Sequence, residues 1–145
     1  KLIDNLAGNY AYVVMDNEAG MEHLSRRTTQ NIDVLIITSD HSVKGIRTIA
    51  RIRDIVAELK LVVKRELIVI NFVLTNIDPL LKEELDRLEI TPTTIVPLDE
   101  EVQRYDLERK SLFDLPDTSK AVMTVNDLMD RLLKAEEIHS KGDKK

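Results

Sequence analysis

Apolar positions along the chain fall into two alternating kinds of pattern. Short, nearly continuous runs rich in β-branched residues occur at Tyr10 to Met15 (YAYVVM), Asp33 to Thr38 (DVLIIT), Glu66 to Thr75 (ELIVINFVLT) and Thr93 to Pro97 (TTIVP). Runs of this kind suit strands buried on both faces of a parallel sheet. Between them the apolar residues recur at helical spacing. Gly20 to Thr29 is weakly amphipathic. Val43 to Lys60 carries a stripe of Ile46, Ile49, Ile52, Val56 and Leu59. Leu80 to Leu88 follows Asp78 and Pro79, an N-cap and a proline at the first helical position. Glu100 to Leu107 is short and charged. Thr118 to Ile138 sets Val122, Val125, Met129 and Leu132 on one predicted face.

Strands alternating with helices predict right-handed crossovers and an α/β fold with a mostly parallel sheet and flanking helices. One domain is expected over residues 1–138, with a polar tail, 139–145, expected to be disordered. Ligands of such sheets bind at the carboxyl ends of the strands. Attention therefore falls on Asp16 to Gly20, Ser39 to Ser42, Asn71 and its followers, and Pro97 to Glu101.

Composition narrows the chemistry. The 145 residues are 43% hydrophobic and 32% charged, which excludes a disordered or fibrous chain. A net charge of −5 disfavours nucleic acid as a partner. There is no cysteine, so no disulfide, thiolate nucleophile or Cys-ligated metal exists within the chain. No apolar run approaches the roughly 20 residues of a membrane helix. The final helix is mixed in charge, which does not suit a lipid surface. The four glycines, Gly8, Gly20, Gly45 and Gly142, are too far apart to write a P-loop or a dinucleotide fingerprint. With three histidines, a histidine-rich metal site is not expected. The runs KEELDRLE and DEEVQRYDLERK read as solvated helix faces.

The segment VVMDNEAGMEHLSR has a carboxylate, Asp16, closing an apolar run and a glycine, Gly20, four residues on. A carboxylate so placed suits a hydrated Mg²⁺, and a glycine lets a backbone N–H approach a terminal phosphate. A strand-to-helix turn with a capping acid explains the same residues without a ligand.

In its residues the stretch DNEAGMEHLSR resembles the switch II motif of the MinD/ParA-type deviant Walker ATPases, which have Asp-x-Pro-Ala-Gly there. With Glu18 in place of proline, and Glu22-His23-Leu24 following, it is most similar to the nickel-insertion ATPase that matures carbon monoxide dehydrogenase. TSDHSVKGIRTIARI, LIVINFV, VPLDEEV and YDLERKSLFDLP resemble later segments of the same family, in order along the chain.

The resemblance implies the C-terminal half of a P-loop NTPase (Rossmann-like) fold, with the P-loop and a Cys-x-Cys pair in an N-terminal half outside this chain. It implies a cytoplasmic ATPase that uses ATP and Mg²⁺, dimerises around nucleotide and delivers nickel to a client metalloenzyme, with any nickel ligands outside this chain. This chain alone would then be inactive. A partition- or division-type ATPase of the same fold is one alternative, and a non-catalytic α/β interaction domain is another.

By the same resemblance, Asp16 would hold Mg²⁺ through water or orient the attacking water, and Gly20 would sense the γ-phosphate. Asn71 would read adenine, with Asn76 the rival candidate, and Pro97 and Asp99 would close over the base. Phe72 departs from the arginine usual after that asparagine. Asp99 is also a plain helix N-cap candidate. His23 could join Glu22 or Glu18 on a metal, or simply face solvent or a dimer partner. Asp40, Ser42 and Lys44 could face a second subunit, or only cap the helix they precede.

Overall fold

The computed structural model describes residues 9–17 and 30–142. Three strands form a parallel sheet in the order β1 (Asn31–Asp40), β2 (Val62–Val73), β3 (Thr94–Pro97). Helix α1 (Val43–Glu58) joins β1 to β2, and α2 (Pro79–Arg87) joins β2 to β3. Helix α3 (Glu100–Leu107), a 3-10 turn (Leu112–Asp114) and the long α4 (Lys120–Gly142) follow. This is the α/β architecture that the alternating pattern predicts. No helix among the described residues is long and apolar enough to cross a membrane.

The two faces of the sheet bury different sets of residues. On one face Ile37, Ile68 and Ile70 pack with Ile46 and Ile49 of α1 and with Leu81 and Leu85 of α2. On the other, Leu67, Val69 and Val96 pack with Leu128 and Leu132 of α4. Residues 67 to 70 are thus buried without a break, as a central parallel strand requires. Two charged contacts tie the helical layer together. Glu84 of α2 takes Arg47 of α1 at 2.6 Å and Arg87 at 2.7 Å. Arg53 of α1 holds Glu66 of β2 at 2.6 Å and donates to the carbonyl of Glu89 at 3.2 Å.

Helices α1, α2 and α3 end without glycine. Lys60, Glu89 and Arg109 adopt left-handed φ values of 53°, 52° and 55° just past α1, α2 and α3. At each end two backbone bonds close the last turn, as in Lys60 N–H to Ala57 O at 3.0 Å and Leu61 N–H to Val56 O at 3.1 Å. This is the Schellman arrangement, normally built with glycine because a Cβ disfavours that conformation.

Two expectations are corrected. The run Tyr10 to Met15 forms no strand: it is irregular, with Tyr10 64%, Tyr12 63% and Val14 91% exposed. Among the described residues β1 pairs only with β2, and the run forms no ladder with the open edge of β1, so its backbone has no strand partner to hold it extended. In α4 the buried stripe is Leu128 and Leu132, while Val125 is 43% and Met129 37% exposed. The helix carries two neighbouring apolar stripes, and only one of them faces the sheet.

Candidate functional site

Parallel strands with right-handed crossovers bring the three carboxyl ends to one edge of the sheet. There Asp40 stands opposite Asn71 in register, and Val73 opposite Pro97. The Leu98 N–H donates to Val73 O at 2.9 Å and fixes the β3–α3 loop to the end of β2.

At the end of β1, Ser42 caps α1. Its hydroxyl accepts from the Gly45 N–H at 3.0 Å and donates to Asp40 Oδ1 at 2.5 Å. A Cβ at position 45 would lie 2.2 Å from Asp40 Oδ1 and 2.3 Å from Ser39 Oγ. Glycine is what lets these two side chains lie over the helix start. The neighbouring His41 accepts from the Asp78 N–H at 3.3 Å, and Asp78 in turn caps α2 through the Leu80 N–H at 2.8 Å. Asp40 and Ser42 are therefore engaged in helix capping, and Lys44 is exposed on α1.

The end of β2 is bulged. Register shifts between Ile70 and Val73, and Phe72 takes a left-handed φ of 61°. The bulge turns Val73 into the core beside Ile68 and Ile70 and leaves Phe72 53% exposed. An aromatic residue in that conformation is strained. Asn71 supports it, accepting the Phe72 N–H on Oδ1 at 2.8 Å. Its amide Nδ2 remains a donor at the strand end. Asn76, the rival, is exposed in the turn before α2.

Asp99 at this edge is only 8% exposed. Its Oδ1 accepts from the Glu101 N–H at 2.9 Å and so caps α3. Its Oδ2 accepts from the Ser119 hydroxyl at 2.7 Å and from the Ala121 N–H at 3.0 Å. These donors hold its carboxyl below the usual carboxylate range, the Ala121 N–H most strongly, then the Ser119 hydroxyl, against the opposing effect of burial. Ser119, 3% exposed, was not singled out in the sequence. The available signal was a run of small polar residues, Thr118 and Ser119, just ahead of a helix.

A cleft of about 520 Å³ opens beside this group. Its walls are Leu74 beyond β2, Leu98 and Asp99 of the β3–α3 loop, and Pro116, Thr118 and Ser119 ahead of α4. Leu74, Leu98 and Pro116 give it apolar surface, while Glu100, Glu101 and Lys120 join Asp99, Thr118 and Ser119 to make the lining mostly polar, which suits a flat ligand with a polar edge. Pro97 is half-buried at the end of β3 and does not line the cleft.

Asn71, Pro97 and Asp99 thus stand at one edge of the sheet, and of the three only Asp99 lines the cleft. Asp16 is exposed in the irregular segment 9–17. Gly20, with Glu18, Glu22 and His23, lies outside the described residues. Among the described residues no group of three or more His, Asp or Glu side chains could hold a metal ion.

No protein-family model matches the chain. Among solved structures it superposes on a ParA family ATPase from Chlorobium tepidum TLS with a TM-score of 0.70 and 21% identity, over 87% of this chain and 52% of that one. It also matches the MinD cell division protein of Aquifex aeolicus, with a TM-score of 0.52 and 15% identity, over 70% of this chain and 44% of that one. The fold is that of the ParA and MinD ATPases. Among curated proteins, an uncharacterized ATP-binding protein of Methanocaldococcus jannaschii is 36% identical over 133 residues, 92% of this chain and 53% of that protein. A second ATP-binding protein of the same organism is 29% identical over 101 residues, 69% of this chain and 38% of that protein. The chain spans about half the length, or less, of these curated relatives.

Proposed function

We propose that this chain is the C-terminal half of a ParA/MinD-like ATP-binding protein and that its carboxyl-edge cleft takes the purine base of the nucleotide. The observation that carries this is the cleft itself, set between the end of β2, the β3–α3 loop and the start of α4. The sequence similarity to an ATP-binding protein over 92% of the chain supports it.

Within this proposal Asn71 donates to the base through Nδ2, since its Oδ1 is engaged by Phe72. Leu98 walls the base, and Pro97 closes the strand that carries it. Asp16 and Gly20 serve the phosphate end, together with a P-loop supplied by residues outside this chain. A dimer around nucleotide belongs to the same proposal.

Nickel delivery to carbon monoxide dehydrogenase is a finer proposal, and it rests on the resemblance of Glu18, Glu22-His23-Leu24 and the segment TSDHSVKGIRTIARI to that branch. The ATP-binding relatives and the ParA and MinD structures favour the broader ParA/MinD-like ATPase over that narrower role.

The test is photocrosslinking of 8-azido-ATP to the full-length protein. Labelled peptides should come from 71–74, 97–101 or 116–120. Labelling only elsewhere would refute the assignment of the cleft.

A further inference from the structure

We infer that the hydrogen bond from Ser119 to Asp99 is a clamp that sets the width of the base cleft, and that these two residues position its walls without themselves reading the base.

The cleft has two principal walls, each rooted separately in the fold. The β3–α3 loop is fixed to β2 by Leu98 N–H to Val73 O. The turn before α4 is fixed by α4, whose Leu128 and Leu132 pack on Leu67, Val69 and Val96 across the sheet. Asp99 stands on the first wall and Ser119 on the second, and both line the cleft. Their side chains meet at 2.7 Å. The Ala121 N–H adds a second link from α4 to the same Oδ2 at 3.0 Å. Farther out, the Tyr105 hydroxyl donates to Asp114 O at 3.1 Å and steadies α3 against the 3-10 turn.

The partners leave these two residues little capacity for a ligand. Three donors occupy Asp99, out of about four acceptor sites on a carboxylate. The Ser119 oxygen gives its proton to Asp99 and accepts the Val122 N–H at 3.2 Å. Both residues are more than nine-tenths buried. Groups so engaged act on a ligand through the shape of the walls. A flat base held between two walls loses contact steeply when the gap widens. Loss of the clamp should therefore weaken every base alike, whereas loss of a base-edge contact would change the preference between bases.

This rests on the proposed nucleotide reading, and the experiment separates the two. ATP and GTP affinities and steady-state kinetics are measured on the full-length protein, its Ser119→Ala variant and its Asp99→Asn variant. The clamp predicts that Ser119→Ala lowers both affinities by the same factor, about tenfold, and raises KM for ATP more than it lowers kcat. Asp99→Asn should follow the same pattern, and if it does not fold, Ser119→Ala suffices. Unchanged affinities in folded Ser119→Ala would overturn the clamp while leaving the nucleotide site in place. An altered ATP-to-GTP ratio in Asp99→Asn, with Ser119→Ala normal, would show direct base contact and would also overturn it. A wild-type protein that binds neither nucleotide would overturn the reading beneath it.

Discussion

Asp99 and Ser119 are twenty residues apart in the chain, yet their side chains meet at 2.7 Å in a buried contact between the starts of α3 and α4. One carboxylate serves both helix starts, accepting from Glu101 on α3 and from Ala121 on α4. Removing it leaves backbone donors unpartnered at two places. Each lost cap costs about 1 kcal/mol. Asp99→Ala is therefore expected to destabilise the protein by about 2 kcal/mol in denaturant unfolding. A loss no larger than that of a surface substitution would contradict the double cap.

The Glu84 carboxyl gives a pH signature. Its hydrogen bonds with Arg87 and then Arg47 lower its pKa from 4.5 to about 2. A carboxyl held lower in the folded state stabilises fully above its ordinary value and loses that stabilisation as pH falls. The window runs from about 4.5 down to about 2. Thermal melting should show wild type above Glu84→Gln at neutral pH, with the gap closing through this window. A gap that does not change with pH would contradict the ion-paired role.

Arg109 carries a backbone cost that glycine would remove. It is exposed, with φ 55° at the end of α3. The left-handed conformation costs a residue with a Cβ about 1–2 kcal/mol, partly offset by the greater freedom of glycine in the unfolded chain. Arg109→Gly is expected to stabilise by about 0.5–1 kcal/mol in urea unfolding, and Arg109→Val to destabilise. Equal stabilities for the two variants would contradict the assigned conformation.

Asn71 has a kinetic signature in the full-length protein. A base contact made equally in the ground and transition states affects KM more than kcat. Asn71→Ala is expected to raise KM for ATP several-fold while kcat changes little. Normal KM in that variant would move the assignment to Asn76.

Much of the fold could be read from the residues because its signals are local. The stripe of Ile46, Ile49 and Ile52 marks α1, and Asp78-Pro79 marks the start of α2, where Asp78 does accept from Leu80. The runs around Leu35, Ile68 and Ile95 mark the three strands. What escaped depends on partners distant in the chain. Nothing in YAYVVM tells whether a neighbouring strand exists to pair with it. Helix ends at Lys60 and Arg109 lack the glycine that usually announces them. The bulge at Phe72 breaks the two-residue alternation without a glycine to mark it.

The candidate site divides the same way. Asn71 and Pro97, near the ends of β2 and β3, and Asp99, just beyond β3, stand out by position at the carboxyl ends of strands. Ser119 does not, because only the folded chain brings it beside Asp99.

The most direct measurement is calorimetric titration of Mg-ATP into this 145-residue chain and into the full-length protein, side by side. The carboxyl-edge cleft supplies walls for a base, while the described residues supply no glycine-rich phosphate cradle. The expected result is micromolar binding by the full-length protein and, at most, weak binding by this chain alone. Micromolar binding by the 145-residue chain, or none by the full-length protein, would contradict the account.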